Sequence, residues 1–134
     1  MYRVMIVDDE PLIREGLRTL IEWENYGFQV VTVARDGNDA LAQYDEAAPD
    51  LMIVDIRMPA MDGLQLIEAV RKRNIHTHYL ILSGYSDFVY AKRAILSKVD
   101  GYILKPIDEE ELVQYLELMR TQLDKESVAA LTVN

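Results

Sequence analysis

Leu51-Met52-Ile53-Val54-Asp55 is an apolar run with two β-branched residues that ends abruptly in a carboxylate. Pro49 and Asp50 precede it, and Arg57-Met58-Pro59 follow closely. A run this short and apolar reads as a strand buried on both faces of a parallel sheet, with Asp55 at its C-terminal mouth. Open α/β sheets bind their ligands at that end. Alone, Asp55 is more simply read as a polar residue that ends a strand. The segments on either side change that reading.

Upstream, residues 3–7 form another apolar strand with acid at its exit, Asp8-Asp9-Glu10. Pro11 suits the first turn of a helix, and Ile13, Leu17, Leu20 and Ile21 recur at helical spacing through Trp23. Asn25, Tyr26 and Gly27 break it. Residues 28–34 read as a second strand closed by the Asp36-Gly37 turn signal. Ala40, Leu41 and Tyr44 then support a short helix that Pro49 cannot continue.

Downstream, Asp62 is placed to cap a helix from Gly63 to about Arg73, with Leu66, Ile67 and Val70 inward. Residues 79–82 read as a fourth strand leaving at Ser83-Gly84, after which Ser86 caps a helix carrying Phe88, Ala91, Ala94 and Ile95. Residues 101–104 make a fifth strand ending in Lys105-Pro106. Asp108 with Glu111 resembles a capping box, Glu109 and Glu110 suit a helix start, and Leu112, Leu116, Met119 and Leu123 form a buried stripe. Periodicity fades from Lys125. Residues 1–124 are therefore expected to be one domain, and 125–134 the start of a linker or a terminal remnant.

Composition sets the outer limits. The 134 residues, half of them hydrophobic, suffice for one domain with a real core. A net charge of -9 would repel phosphate backbones, so this chain is not expected to bind nucleic acid by itself. No Cys is present for a disulfide or a thiolate metal site. The opening stretch reaches acid too early for a signal-peptide core, and no apolar run is of membrane-spanning length. A soluble cytoplasmic protein without membrane contact is expected.

Strands alternating with helices imply a flavodoxin-like α/β fold, a doubly wound five-stranded parallel sheet of order 2-1-3-4-5 with five helices. Strands 1 and 3 are then neighbours whose chains leave to opposite faces, which brings Asp8, Asp9 and Asp55 to one crevice. Ser83 and Lys105 leave the adjacent strands on the same rim. Two ionised carboxylates ~4 Å apart repel by about 4 kcal/mol at an effective dielectric of ~20, so positive charge is required among them. Hard oxygen donors without His or Cys favour Mg²⁺, which pairs naturally with phosphate. With Lys105 as a second cation and the Ser83 hydroxyl in reach, Asp55 is equipped to attack a phosphoryl group and become an acyl phosphate.

These residues, together with Met58-Pro59, Asp62-Gly63 and Tyr102-x-x-Lys105-Pro106, resemble the receiver domains of two-component response regulators from about Val4 to Leu123. Ser83-Gly84-Tyr85-Ser86-Asp87-Phe88, with Tyr90-Ala91, looks more narrowly like receivers joined to AraC-type helix-turn-helix output domains. The resemblance implies a phosphorylation-activated switch rather than a turnover enzyme. Asp55 would accept the phosphoryl group from a sensor histidine kinase. Asp9, Asp55 and the Arg57 carbonyl would ligate Mg²⁺, with Asp8 acting largely through water. Lys105 and Ser83 would contact the phosphoryl group, and Tyr102 would change rotamer with activation. A homodimer through the fourth helix, fifth strand and fifth helix is open, and DNA would be reached only through an output domain absent here.

The resemblance also implies a cis bond before Pro106. Where many relatives end the fourth helix with Gly, this chain has Lys98. A left-handed residue there costs about 1 kcal/mol, so the loop into the fifth strand is expected to differ.

Two competing functions fit less well. A haloacid-dehalogenase-type phosphatase wants a second acid two residues after its nucleophile, and that position is Arg57. A non-phosphorylated interaction module would have no use for Asp8, Asp9, Asp55, Ser83 and Lys105 together. His76 and His78, lacking acidic neighbours in sequence, read as surface loop residues, and Trp23 and the methionines read as packing.

Overall fold

The computed structural model describes residues 1–84, 87, 92–95 and 97–132. Five strands, β1 (Tyr2–Val7), β2 (Phe28–Ala34), β3 (Leu51–Asp55), β4 (His78–Ser83) and β5 (Gly101–Leu104), pair in parallel in the order β2-β1-β3-β4-β5. The helices are α1 (Pro11–Leu20), α2 (Gly37–Ala47), α3 (Gly63–Arg73), α4 (described over 92–95) and α5 (Glu109–Thr132). The doubly wound order expected from the alternation of elements is the one observed.

Each parallel crossover needs a helix, and helices on both faces bury the central strands. All five residues of β3 are buried. The period-two alternation sends Met5, Val7, Met52 and Val54 toward Ala40, Tyr44, Leu66, Ile67 and Val70 of α2 and α3. Val4, Ile6, Leu51 and Ile53 face the other way, onto Leu17 of α1 and the stripe Leu112, Leu116, Met119 and Leu123 of α5. Because neighbouring strands share this register, all chain exits of one direction collect on a single rim.

Local chemistry fixes where α3 starts. Asp62 accepts from the Gln65 backbone N–H at 2.8 Å, and the Gln65 side chain accepts from the Asp62 N–H at 2.9 Å, a reciprocal cap. Gly63 lies so close to the end of β3 that a Cβ there would stand 2.5 Å from the Asp55 carbonyl oxygen. Before α5, Glu111 donates its N–H to the Asp108 side chain at 3.1 Å.

Several expectations are corrected. Helix α1 stops at Leu20 rather than running through Trp23, and Trp23–Tyr26 forms a separate 3-10 turn. Buried Trp23 donates its indole N–H to the Arg18 carbonyl at 3.0 Å, satisfying a helix-end acceptor that another helical turn would have used. Asp36 does not simply turn the chain. Its side chain accepts from the Asp39 N–H and caps α2.

Lys98 does adopt the left-handed conformation (φ 57°), so the expected departure at this cap does not occur. The Arg71 guanidinium donates to the Ser97 and Lys98 carbonyls at 2.6 and 3.2 Å and ties that turn to α3. The Lys105-Pro106 bond is cis. The capping role given to Ser86 and the helical positions of Phe88 and Ala91 lie outside the described residues. Ala94 is buried and Ile95 exposed.

His78 is no loop residue without acidic neighbours. It opens β4, 3.0 Å from Asp100 and 2.9 Å from Glu126. Glu126 reaches it because α5 continues to Thr132 along the lower edge of the sheet, where Asp124 also accepts from the Tyr2 hydroxyl. The Asp100 hydrogen bond acts first, against the effect of burial, and with Glu126 raises the His78 pKa to about 9.

Candidate functional site

At the C-terminal rim, four strands deliver polar groups to one crevice. Asp8 follows β1, Asp55 ends β3, Ser83 ends β4 and Lys105 follows β5. The Lys105 ammonium lies 3.0 Å from Asp8 Oδ2, 3.4 Å from Asp55 Oδ1 and 3.9 Å from Glu10 Oε1. It is held at that height by the backbone, since the Lys105 N–H donates to the Ser83 carbonyl at 2.7 Å. Asp8 and Asp55 are both buried, and Asp9 and Glu10 are exposed at the mouth.

Burial, followed by the nearby Asp8 charge, raises the Asp55 pKa to about 7, against the opposing pull of Lys105. Lys105 moves the complementary way. Burial works against its charge, but Asp8 and Asp55 more than compensate and hold its pKa above the ordinary value. One ammonium thus offsets only part of the negative charge in the crevice.

The surplus suits a hard cation. Carboxylate oxygens of Asp8, Asp9 and Glu10 lie within 4.8 Å of one another. Among the described residues, Asp8 Oδ2 is buried without an aligned hydrogen bond, with the Lys105 ammonium 3.0 Å away. An all-oxygen set with an under-satisfied buried member fits Mg²⁺ in charge and in donor type.

Asp8, Asp9, Asp55, Ser83 and Lys105 all lie at this rim, and the Ser83 and Arg57 side chains have further partners there. The Ser83 hydroxyl is bonded to the Gly84 carbonyl and to Asp87. The Arg57 side chain also reaches Asp87, at 3.1 Å, while its N–H faces Asp55 Oδ1 at 3.4 Å. Tyr102, on β5, is half-buried against the α2 and α3 side of the core, and its backbone carbonyl and N–H bond with the Tyr115 hydroxyl at 3.3 and 3.4 Å. Sequence reasoning assigned no role to Asp87 or Glu10. Glu10 could have been added by its adjacency to Asp8-Asp9. Asp87 stands in the quoted Ser83–Phe88 stretch, but its contacts to Ser83 and Arg57 follow from no hydrophobic period.

A doubly wound domain that gathers buried acids and a lysine at the C-terminal ends of its strands presents them where open α/β sheets bind their ligands. The model of the response regulator receiver domain matches residues 4–117, and the chain belongs to this family of two-component signalling. The transcriptional regulatory protein HptR of Staphylococcus aureus is 41% identical over 128 residues, covering 95% of this chain and 50% of that protein. The uncharacterized transcriptional regulatory protein YesN of Bacillus subtilis is 35% identical over 96% of this chain and 35% of its own length. This chain therefore spans half or less of these curated relatives.

Among solved structures, the receiver domain of AraT, a response regulator from Geobacillus stearothermophilus, superposes with a TM-score of 0.89 at 38% identity, over 94% of this chain and 98% of that one. A two-component transcriptional regulator AraC from Clostridium phytofermentans gives 0.86 at 34%, over 95% and 98%. No helix among the described residues is long and apolar enough to cross a membrane.

Proposed function

We propose that this receiver domain is a phosphorylation-activated switch in which Asp55 takes a phosphoryl group from the phosphohistidine of a cytoplasmic sensor kinase. The observation that carries this reading is the Lys105 ammonium lodged between Asp8 and Asp55 at 3.0 and 3.4 Å. A carboxylate oxygen of Asp55 forms the new O–P bond as the N–P bond to the kinase histidine breaks, leaving an acyl phosphate on Asp55 and a histidine that regains its proton. Lys105 meets the charge on the transferred group, and the Ser83 hydroxyl can donate to one of its oxygens.

Asp8, Asp9 and Asp55, with the Arg57 carbonyl, would hold Mg²⁺, Asp8 largely through water. When bound, the metal supplies positive charge that keeps Asp55 ionised and screens the phosphoryl oxygens. Tyr102 would respond to the shift of Ser83 and carry the change to the surface of α4, β5 and α5, where a second copy of the chain is one candidate partner. Relatives bearing the name transcriptional regulatory protein are about twice as long as this chain or longer, which supports a DNA-binding output domain as the receiver of that change. The net charge of -9 supports keeping DNA contact off the receiver itself.

Incubation with acetyl phosphate and Mg²⁺ tests the reading. Intact mass should rise by one base-labile phosphoryl group in the parent and not in Asp55→Asn. Equal labelling of the two proteins would refute it.

A further inference from the structure

Ser83 is engaged by a network that the phosphoacceptor reading does not require. Its side chain is fully buried, and its hydroxyl is placed to donate to the Gly84 carbonyl at 3.1 Å and to Asp87 Oδ2 at 3.3 Å. The same Asp87 oxygen accepts the Gly84 N–H at 3.0 Å, and Asp87 Oδ1 lies 3.1 Å from Arg57 Nη1. Asp87 is 7% exposed, whereas the Arg57 side chain is 58% exposed. Burial works against the Asp87 charge. The Gly84 N–H, the Arg57 guanidinium and the Ser83 hydroxyl outweigh it, so the carboxyl sits below its ordinary pKa and is ionised.

This carboxylate joins the exits of β3 and β4. Arg57 lies two residues after Asp55, and Ser83 and Gly84 leave β4. A serine hydroxyl has one proton, so it cannot donate fully to Asp87 and to a group on Asp55 together. A phosphoryl group on Asp55 would compete for that proton, attract the Arg57 guanidinium and repel the Asp87 carboxylate. All three effects act against the same set of contacts.

We infer that Asp87, steadied by Arg57, is a positioning residue that latches the Ser83 hydroxyl to the β4 exit in the unmodified domain, and that activation requires Ser83 to exchange its Asp87 oxygen for a phosphoryl oxygen. The inference rests on Asp55 being the phosphoacceptor. A contact made only in the resting state lowers the apparent affinity of any ligand that needs the other state. Removing Asp87 should therefore make activation easier, whereas loss of a residue that merely shapes the loop would make it harder.

The test titrates beryllofluoride with Mg²⁺, a phosphoryl mimic, against the parent, Asp87→Ala, Asp87→Asn, Ser83→Ala and the Ser83→Ala/Asp87→Ala double variant, following bound fluoride by NMR. Asp87→Ala should bind the mimic roughly fivefold more tightly than the parent, the size expected for one resting-state hydrogen bond. The Ser83→Ala background should cut that gain to the smaller part that comes from removing the Asp87 charge and releasing Arg57. Asp87→Asn keeps an acceptor for the Gly84 N–H but gives up the ion pair with Arg57, so it should shift affinity in the same direction by less. That variant decides the matter if Asp87→Ala does not fold.

Unchanged or weaker binding by the folded Asp87 variants, or a gain of undiminished size without the Ser83 hydroxyl, would overturn the latch. The underlying reading is judged separately. Parent binding that Asp55→Asn abolishes sustains it whatever the Asp87 variants do, and a parent that fails to bind the mimic overturns both.

Discussion

Asp55→Asn should stabilise the metal-free domain, and should do so only where Asp55 would otherwise be ionised. Asp55 is 4% exposed, and Lys105 is shared between it and Asp8. Burial first, then the Asp8 charge, raises its carboxyl from 3.8 to about 7. Across that interval the native state holds a proton that the unfolded chain has released, so stability falls as pH rises from the lower value to the higher. A shift of that size is worth up to about 4 kcal/mol, and relaxation of the crevice should reduce it to about 2 kcal/mol.

The assay is urea denaturation of parent and variant in chelator, at about pH 5 and about pH 8. The variant should be the more stable protein at the higher pH, and the advantage should shrink or vanish at the lower one. An advantage of equal size at both values, or a variant less stable at the higher one, would show that Asp55 is not a crowded buried carboxyl.

Three further outcomes follow from other contacts. Asp9→Asn should raise the melting temperature slightly in chelator, the relieved repulsion at this exposed position being worth no more than about 1 kcal/mol, while Mg²⁺ should stabilise the parent more than the variant. His78, raised to about 9 chiefly by Asp100 with Glu126, contributes stability that is complete below its ordinary 6.5 and is lost as pH rises through about 9. With Glu126 partly exposed, this should amount to about 1–2 kcal/mol between about pH 7 and about pH 10 in urea titrations, and His78→Gln should flatten it. Gly63→Ala would press a methyl against the Asp55 carbonyl oxygen and the Ile56 Cα, both backbone atoms that cannot swing aside, and should cost about 1–3 kcal/mol by denaturation.

Where the sequence is strongly periodic, its reading and the structure coincide. The β3 run and the α5 stripe each carry one unambiguous burial pattern, and parallel connectivity then places Asp8, Asp55, Ser83 and Lys105 on one rim. The departures come from side chains that serve as partners for the backbone or for distant residues. Trp23 looked like the next helical position, yet its indole takes the Arg18 carbonyl and the helix ends. His78 lacked acids in its own stretch because its partners lie 22 and 48 residues away, on the loop before β5 and on α5. Lys98 accepts a left-handed backbone where Arg71, from another helix, holds the adjoining carbonyls. Asp87 belongs to the same group, since its value to Ser83 depends on an arginine that leaves a different strand.

The central claim is that Asp55, and no other carboxylate, carries the phosphoryl group. Borohydride reduces an acyl phosphate to the alcohol and leaves free carboxylates untouched, so it marks the modified residue permanently. The most direct measurement is peptide mass spectrometry of the acetyl phosphate-treated, borohydride-reduced protein. Conversion of position 55 to homoserine, with Asp8, Asp9 and Glu10 unchanged, is the predicted result. Homoserine at position 8 or 9, 2-amino-5-hydroxypentanoic acid (the alcohol from a reduced glutamyl phosphate) at position 10, or a phosphorylated protein in which Asp55 survives reduction intact, would contradict the account.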